Sequence, residues 1–470
     1  MTEVPPGRRW FAFGLLCLGT LMIVLDTTIV NVALPSIRAE LGFSETALTW
    51  VINAYMLTFS GFLLLGGRLG DLYGHRRLFL GGLAVFTLAS LVCGLAQSRS
   101  LLVGARTVQG LGGAVVDSIS LSLIMYMFPE PAERAKAMGT FGFVCAGSGG
   151  VGVLLGGVLT GSFDWHWIFL VNVPVGVVVF VLCATLLPGA RPAAAKVRLD
   201  LTGAVTITLA LMLAVYAIID GNAAGWRSTQ TLGLLAAALL LLGVFLAVEW
   251  RAAAPLMPLR LFRLRSLAVA NVVGVLWAAG TFAWFFISAL YLQRVLGYSP
   301  MQVGLSFLPA NVIMAAFSIS LSAKLVMRYG IRVPAVAGLA LIAIGLLVFA
   351  LAPPGPGAAV YVLTAMVVFG FGSGMAFNPI LLAAMNDVDP SESGLASGVV
   401  NTSFMMGGCL GLAVLASMAD ARTQGLLAMG VLEAPALNSG YHLAFLAGAV
   451  FTVLAALGST LLQPAPRPAG

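Results

Sequence analysis

Fourteen stretches of about 20 or more predominantly apolar residues recur along this 470-residue chain, the first over residues 10–34 and the last over 441–462. A run of that length crosses the hydrocarbon core of a bilayer as an α-helix, roughly 30 Å at ~1.5 Å per residue. Within lipid, only helices and closed barrels pair all of their own backbone polar groups. Composition agrees: 60% of residues are hydrophobic and 9% charged, against roughly 25% charged in soluble proteins. A soluble globule is excluded, and so is a disordered chain, which needs low hydrophobicity and high net charge. The expected fold class is an all-α integral membrane protein. The first run is too long for a signal-peptide core and is followed by no small-residue cleavage pattern, so it is expected to stay as the first span.

The charges orient the spans. With the N-terminus placed inside, 18 of the 24 basic residues fall in inner loops and tails. The excess of Arg and Lys on cytoplasmic loops predicts both termini in the cytoplasm, and an even number of spans agrees. The basic surplus forms no stripe with interleaved aromatics that would bind nucleic acid. All five cysteines lie inside apolar runs without metal-ligand spacing, so free thiols and no metal site are expected. The chain has no G-x-x-x-x-G-K loop, no G-x-S-x-G elbow and no H-E-x-x-H. Neither an enzyme activity nor a cofactor is expected, and any uphill transport would draw on a gradient or a partner.

A weak internal repeat sets the domain organisation. Residues 69–76 read LGDLYGHR and residues 325–332 read LVMRYGIR, aligning Gly74 with Gly330 and Arg76 with Arg332. Gly42-Phe43-Ser44 matches Gly297-Tyr298-Ser299. Eight spans separate the copies, an even number, so both have one orientation and the repeat is parallel about an axis along the membrane normal. The expected organisation is a tail (1–9), a six-helix bundle (10–187), a linker with two additional helices (188–266), a second six-helix bundle (267–463) and a tail (464–470).

Several motifs stand in a characteristic order: LDTTIVNVALP at 25–35, GRLGDLYGHRR at 67–77, RTVQGLGGA at 106–114, GVLLGG at 152–157, WHWIFLVNVPVG at 165–176 and GLASGVVNTS at 394–403. Together they resemble the major facilitator superfamily, and within it the fourteen-helix drug:proton antiporters of the QacA and EmrB type. The resemblance covers essentially the whole chain. It implies the major facilitator fold, two six-helix bundles plus two extra central helices. It also implies a proton-coupled secondary exporter (antiporter) of lipophilic drugs or biocides, cationic ones included, in the bacterial cytoplasmic (inner) membrane. The implied partners are a small lipophilic substrate, protons, membrane lipids and an accessory envelope protein. Gly67, Asp71, Gly74, Arg76 and Arg77 would form a conformational latch, and Gly152, Gly156 and Gly157 the antiporter motif of the fifth span. The chain departs from that pattern at Val153 in place of Pro, at Phe404 in place of Arg, and at Asp117 and Ser118 in the fourth span. A dedicated exporter of one endogenous metabolite, antibiotic, peptide or siderophore would share the fold, and a non-transporting receptor is the alternative of another class.

Charges inside spans are costly, at least ~2.5–3.5 kcal/mol each near the bilayer centre, so each needs a partner, a wet cavity or a neutral form. Asp26 lies 16 residues into the first span, about 24 Å from its inner end, and Arg106 lies near the outer end of the fourth, so the two share a depth. They are the candidate proton-coupling pair. Hydrogen bonds from Asp26 to Thr27 or Thr28 would be the structural alternative. Arg106, Gly110, Gly113 and Asp117 share one helix face at i, i+4, i+7, i+11, which reads as a cavity wall with an acid about 16 Å further along. A carboxyl that alternates between apolar and cation-lined surroundings takes up a proton in one and releases it in the other. Asp117, Asn31, Asn53 and Gln109 are the candidate substrate or second proton site.

Overall fold

The apolar runs fold as helices. The computed structural model describes residues 6–128, 130–187, 200–252, 255–355, 357–389 and 393–462. In chain order the helices are α1 (Pro6–Leu41), α2 (Glu45–Leu48), α3 (Trp50–Tyr73), α4 (His75–Gly94), α5 (Arg99–Met127), α6 (Pro131–Ser162), α7 (Trp167–Leu170), α8 (Asn172–Leu186), α9 (Leu201–Ala224) and α10 (Thr229–Arg251). After a 3-10 turn at Leu259–Arg263 come α11 (Arg265–Arg294), α12 (Pro300–Ser320), α13 (Ser322–Tyr329), α14 (Arg332–Ala350), α15 (Ala358–Met385), α16 (Ser393–Ala428) and α17 (Glu433–Ser459). No strand occurs among the described residues. Thirteen helical stretches there are long and apolar enough to cross a membrane, and the 32-residue α6 occupies the place of the remaining expected span. Leucines stand out from the surface: Leu239 and Leu240 of α10 are 69% and 70% exposed, a penalty in water and none against lipid tails.

The helices depart from the expected spans in identifiable ways. The span expected over 10–34 is a 36-residue helix, because a helix continues beyond the bilayer core until something stops it. Here the stop is Gly42, at φ 69°. The span expected over 301–327 breaks at Leu321 into α12 and α13. Asn378 of α15 donates its side-chain amide to the Ser318 carbonyl (3.1 Å) and hydroxyl (3.0 Å), giving that carbonyl an acceptor role outside its own helix just before the break. The span expected over 167–187 opens as α7 and resumes as α8 past Val171. Pro174 sits in the first turn of α8, where a missing N–H costs nothing. Cys17, Cys93, Cys183 and Cys409 are free and buried, whereas the Cys145 side chain lies outside the described residues.

Contacts gather the chain into two compact units. The first comprises Met1–Gly42, Trp50–Thr208 and Val244–Leu256, and the second Phe43–Thr49, Leu209–Gly243 and Met257–Gly470. The same devices recur inside each at the repeated positions. Gly42 and Gly297 both have φ 69°, and Gly74 and Gly330 have φ 91° and 75°, a backbone region that side chains disfavour. Arg76 donates to the Ala184 carbonyl in the last turn of α8. Arg332 donates to the Leu462 carbonyl just beyond α17 (2.7 Å). Close helix crossings recur as well. A Cβ at Gly112 would stand 2.8 Å from the Gly82 carbonyl oxygen where α4 meets α5, and one at Gly372 would stand 2.7 Å from that of Gly338 where α14 meets α15. The faint sequence repeat therefore marks the same turns and the same backbone contacts in both units.

Candidate functional site: a buried ion-pair network

Within the first unit, six elements converge on one ion pair. Asp26 of α1 and Arg106 of α5 are both 0% exposed and form a salt bridge through Asp26 Oδ2. The other carboxylate oxygen accepts from Gln109 Nε2 (2.9 Å) and from Asn172 Nδ2 (3.0 Å). Arg106 also donates to Gln109 Oε1 (2.7 Å) and to the Val51 carbonyl on α3 (2.8 Å). Gln109 is held in turn by Ser90 of α4, whose hydroxyl accepts from Nε2 (2.8 Å). The guanidinium lies over the Tyr55 ring at 4.3 Å, with Phe169 of α7 at 5.5 Å. Every oxygen of the acid is matched by charged or amide donors, the condition under which a buried charge is tolerated.

Local chain geometry delivers these groups. Arg106 and Gln109 are three apart on α5, so both reach the same neighbour. Asn172 is the first residue of α8, placed by the α7–α8 break. Thr27 and Thr28 bond their own helix, to the carbonyls of Val24 (2.7 Å) and Leu25 (3.2 Å), and Asp26 turns away from them. Asn172, Ser90 and Tyr55 were not among the sequence candidates. An amide in an apolar run was the available signal for Asn172, but its link to Asp26 spans 146 residues and leaves no local trace.

The other candidates are distributed differently. Asp117 lies on α5, half-buried, with no hydrogen bond or ion pair among the described residues. The expected cavity wall between it and Arg106 is corrected: the glycines there seat α3. A Cβ at Gly113 would stand 2.9 Å from Tyr55 Oη and 3.2 Å from Phe59, and one at Gly110 would collide with the Tyr55 carbonyl. Asn31 donates back to its own helix at the Thr28 carbonyl (3.2 Å). Asn53 is 0% exposed, and neither polar atom of its amide has a partner among the described residues. Gly152 and Gly156 bring α6 against α1, where Cβ atoms would stand 3.0 Å and 2.5 Å from the carbonyls of Leu25 and Ile29. Gly157 and Val153 are buried beside them. Of the latch residues, Gly74 ends α3, Arg76 is engaged by Ala184, and Arg77 is exposed. The side chain of Asp71 and the surroundings of Gly67 lie outside the described residues.

Known proteins agree with this architecture. The Major Facilitator Superfamily pattern matches residues 16–412. The cephamycin export protein CmcT of Amycolatopsis lactamdurans is 39% identical over 97% of this chain and 93% of its own length. The puromycin resistance protein pur8 of Streptomyces alboniger is 38% identical over 90% and 84%, and the multidrug resistance protein Stp of Mycobacterium tuberculosis is 38% identical over 85% and 74%. Among solved structures, a bacterial homologue of the human lysosomal transporter Spinster, inward-facing and unoccupied, superposes with a TM-score of 0.69 at 18% identity, covering 99% of this chain and 100% of that one. The family pattern over most of the sequence and relatives that share more than a third of their residues place the chain, a multi-pass membrane transporter and not an enzyme, in the major facilitator superfamily.

Proposed function

We propose that this protein is a proton-coupled exporter of lipophilic drugs or antibiotics across the bacterial cytoplasmic membrane, with both termini in the cytoplasm. The observation that carries the reading is the Asp26–Arg106 pair, a fully buried acid bound to a buried cation inside spanning helices. Such intramembrane charges mark ion pathways and proton relays by default. Protonating Asp26 removes the charge that holds Arg106, and leaves the guanidinium with Gln109 and the Val51 carbonyl. That gives the network two arrangements separated by one proton, as exchange against a proton gradient requires. The driving force is adequate, at ~2.3 kcal/mol per charge per 100 mV. The names of the relatives, a cephamycin exporter, a puromycin resistance protein and a multidrug resistance protein, supply the direction and the cargo class. In this reading Asp117 and Asn53 are second polar stations, and Asp71 with Arg76 and Arg77 acts between conformations.

The test is drug-driven proton release from acidified inside-out vesicles. Wild-type protein is expected to dissipate the gradient on addition of a subset of lipophilic drugs, and Asp26→Asn is expected to abolish that release while still inserting. Release that persists in Asp26→Asn sinks the assignment of the coupling acid. A dedicated exporter is favoured by relatives named for single compounds, the cephamycin exporter and the tetracenomycin C resistance and export protein of Streptomyces glaucescens. Response to one scaffold alone across the drug panel would select it over the multidrug reading.

A further inference from the structure

The second unit holds a polar stripe of the opposite kind to the network in the first. Trp277, Thr281, Trp284 and Ser288 follow i, i+4, i+7, i+11 on α11 and so share one face. They are 8%, 5%, 2% and 0% exposed. Each carries a polar atom without a hydrogen-bond partner among the described residues: Trp277 Nε1, Thr281 Oγ1, Trp284 Nε1 and Ser288 Oγ. Two neighbouring helices add to the set. On α15, Phe369 stacks on Trp284 at 3.8 Å and Phe377 packs against Trp277 at 5.3 Å. Between them, at the same four-residue spacing, lies Ser373, 0% exposed with its hydroxyl unpartnered. On α12, Phe307 packs against Trp284 at 5.2 Å. Asn311 donates to the Phe307 carbonyl (3.0 Å) and leaves its own Oδ1 unmatched.

Buried polar groups are normally paired, because each unpaired one keeps its desolvation penalty. One unmatched hydroxyl is unremarkable in a core. Six unmatched side chains on the adjoining faces of three helices, interleaved with aromatic rings and without a charge among them, describe a surface that lacks its complement. We infer that this stripe is a substrate-contact surface for neutral, planar aromatic compounds that carry carbonyl or ether oxygens. The chemistry follows from the inventory. Indole N–H groups only donate, so the ligand must bring acceptors. Hydroxyls and Asn311 Oδ1 accommodate either role or accept. Ring faces favour stacked or edge-on aromatics. Phe404, which packs against Trp277 at 5.9 Å, stands where the antiporter pattern has Arg and keeps this end of the stripe uncharged. Because all six side chains are buried, none more than 8% exposed, binding requires the helices to part, as a carrier's cycle provides. The inference rests on the exporter reading for its physiological meaning, but not for its test.

Full-length protein in lipid nanodiscs, with empty discs as the blank, is titrated with radiolabelled 9,10-anthraquinone and with anthracene, the same three rings without the two carbonyls. The expected result is tighter binding of anthraquinone, with Trp277→Phe and Trp284→Phe each weakening it about tenfold, the scale of one lost hydrogen bond, and leaving anthracene unchanged. Ser373→Ala provides a smaller change in the same direction should either Trp variant fail to fold. Equal affinity for both compounds, or anthraquinone binding indifferent to these substitutions in folded variants, overturns the inference and leaves the stripe a buried polar seam of the helix packing. Loss of drug-driven proton release with anthraquinone binding intact would instead count against the exporter reading alone.

Discussion

Asp26 and Arg106 form a buried ion pair in which each charge depends on the other. Either charge alone, fully buried in the first unit, would be costly, and together they are matched by Gln109, Asn172 and the Val51 carbonyl. Removing one partner of such a pair strands the other, at a cost of about 3–5 kcal/mol, whereas removing both costs far less. Asp26→Asn and Arg106→Gln are therefore each expected to lower thermal stability in detergent, and the double variant to be more stable than Arg106 left alone. Strictly additive losses across that cycle would mean that the two side chains do not share one electrostatic site. The sequence placed these residues at one depth by counting helical rise. It did not reveal Asn172, because the orientation of α8 about its own axis is set by packing.

At the scale of elements, the helices meet through glycine. α6 lies against α1 at Gly152 and Gly156, α4 against α5 at Gly82 and Gly112, and α14 against α15 at Gly338 and Gly372. The sequence showed only that 55 glycines lie in apolar runs, and close backbone approach is what such residues allow in lipid. Which glycine serves which crossing became legible only in the structure, as Gly110 and Gly113 illustrate, since they seat α3 and do not line a cavity. Gly338→Val is expected to destabilise the second unit by about 1–3 kcal/mol or more, the cost of overpacking, read as a lower melting temperature. Val153→Pro next to those α6 glycines is the complementary variant. It removes one backbone donor within α6, and retained folding with altered proton release would identify the helix as a moving part.

The whole molecule repeats itself. Turns at Gly42 and Gly297 and at Gly74 and Gly330, and arginines that bind the ends of the last helix of each bundle, recur across units whose sequences barely match. Yet the two differ in chemistry: the first holds an ion pair whose carboxylate is matched at both oxygens, the second an uncharged aromatic stripe with unmatched polar atoms. On the proposed reading, the first half couples to protons and the second reads the cargo. The charge distribution predicts its orientation. A green fluorescent reporter fused after residue 470 is expected to fluoresce in the cytoplasm, and alkaline phosphatase is expected to be inactive there but active when inserted at the α16–α17 turn beside Gly430. Active phosphatase at the C-terminus would reverse the topology.

Helical membrane class and the repeated glycine turns were readable from the chain alone because they rest on one-dimensional physics. A bilayer demands about 20 apolar residues wherever a helix crosses it, and a turn with positive φ demands glycine wherever it falls. The partners of Asp26, the role of each glycine and the unmatched face of α11 depend on how each helix is rotated about its axis and which neighbour it touches. Those angles come from the packing of side chains far apart in sequence, so they exist only once the helices have assembled.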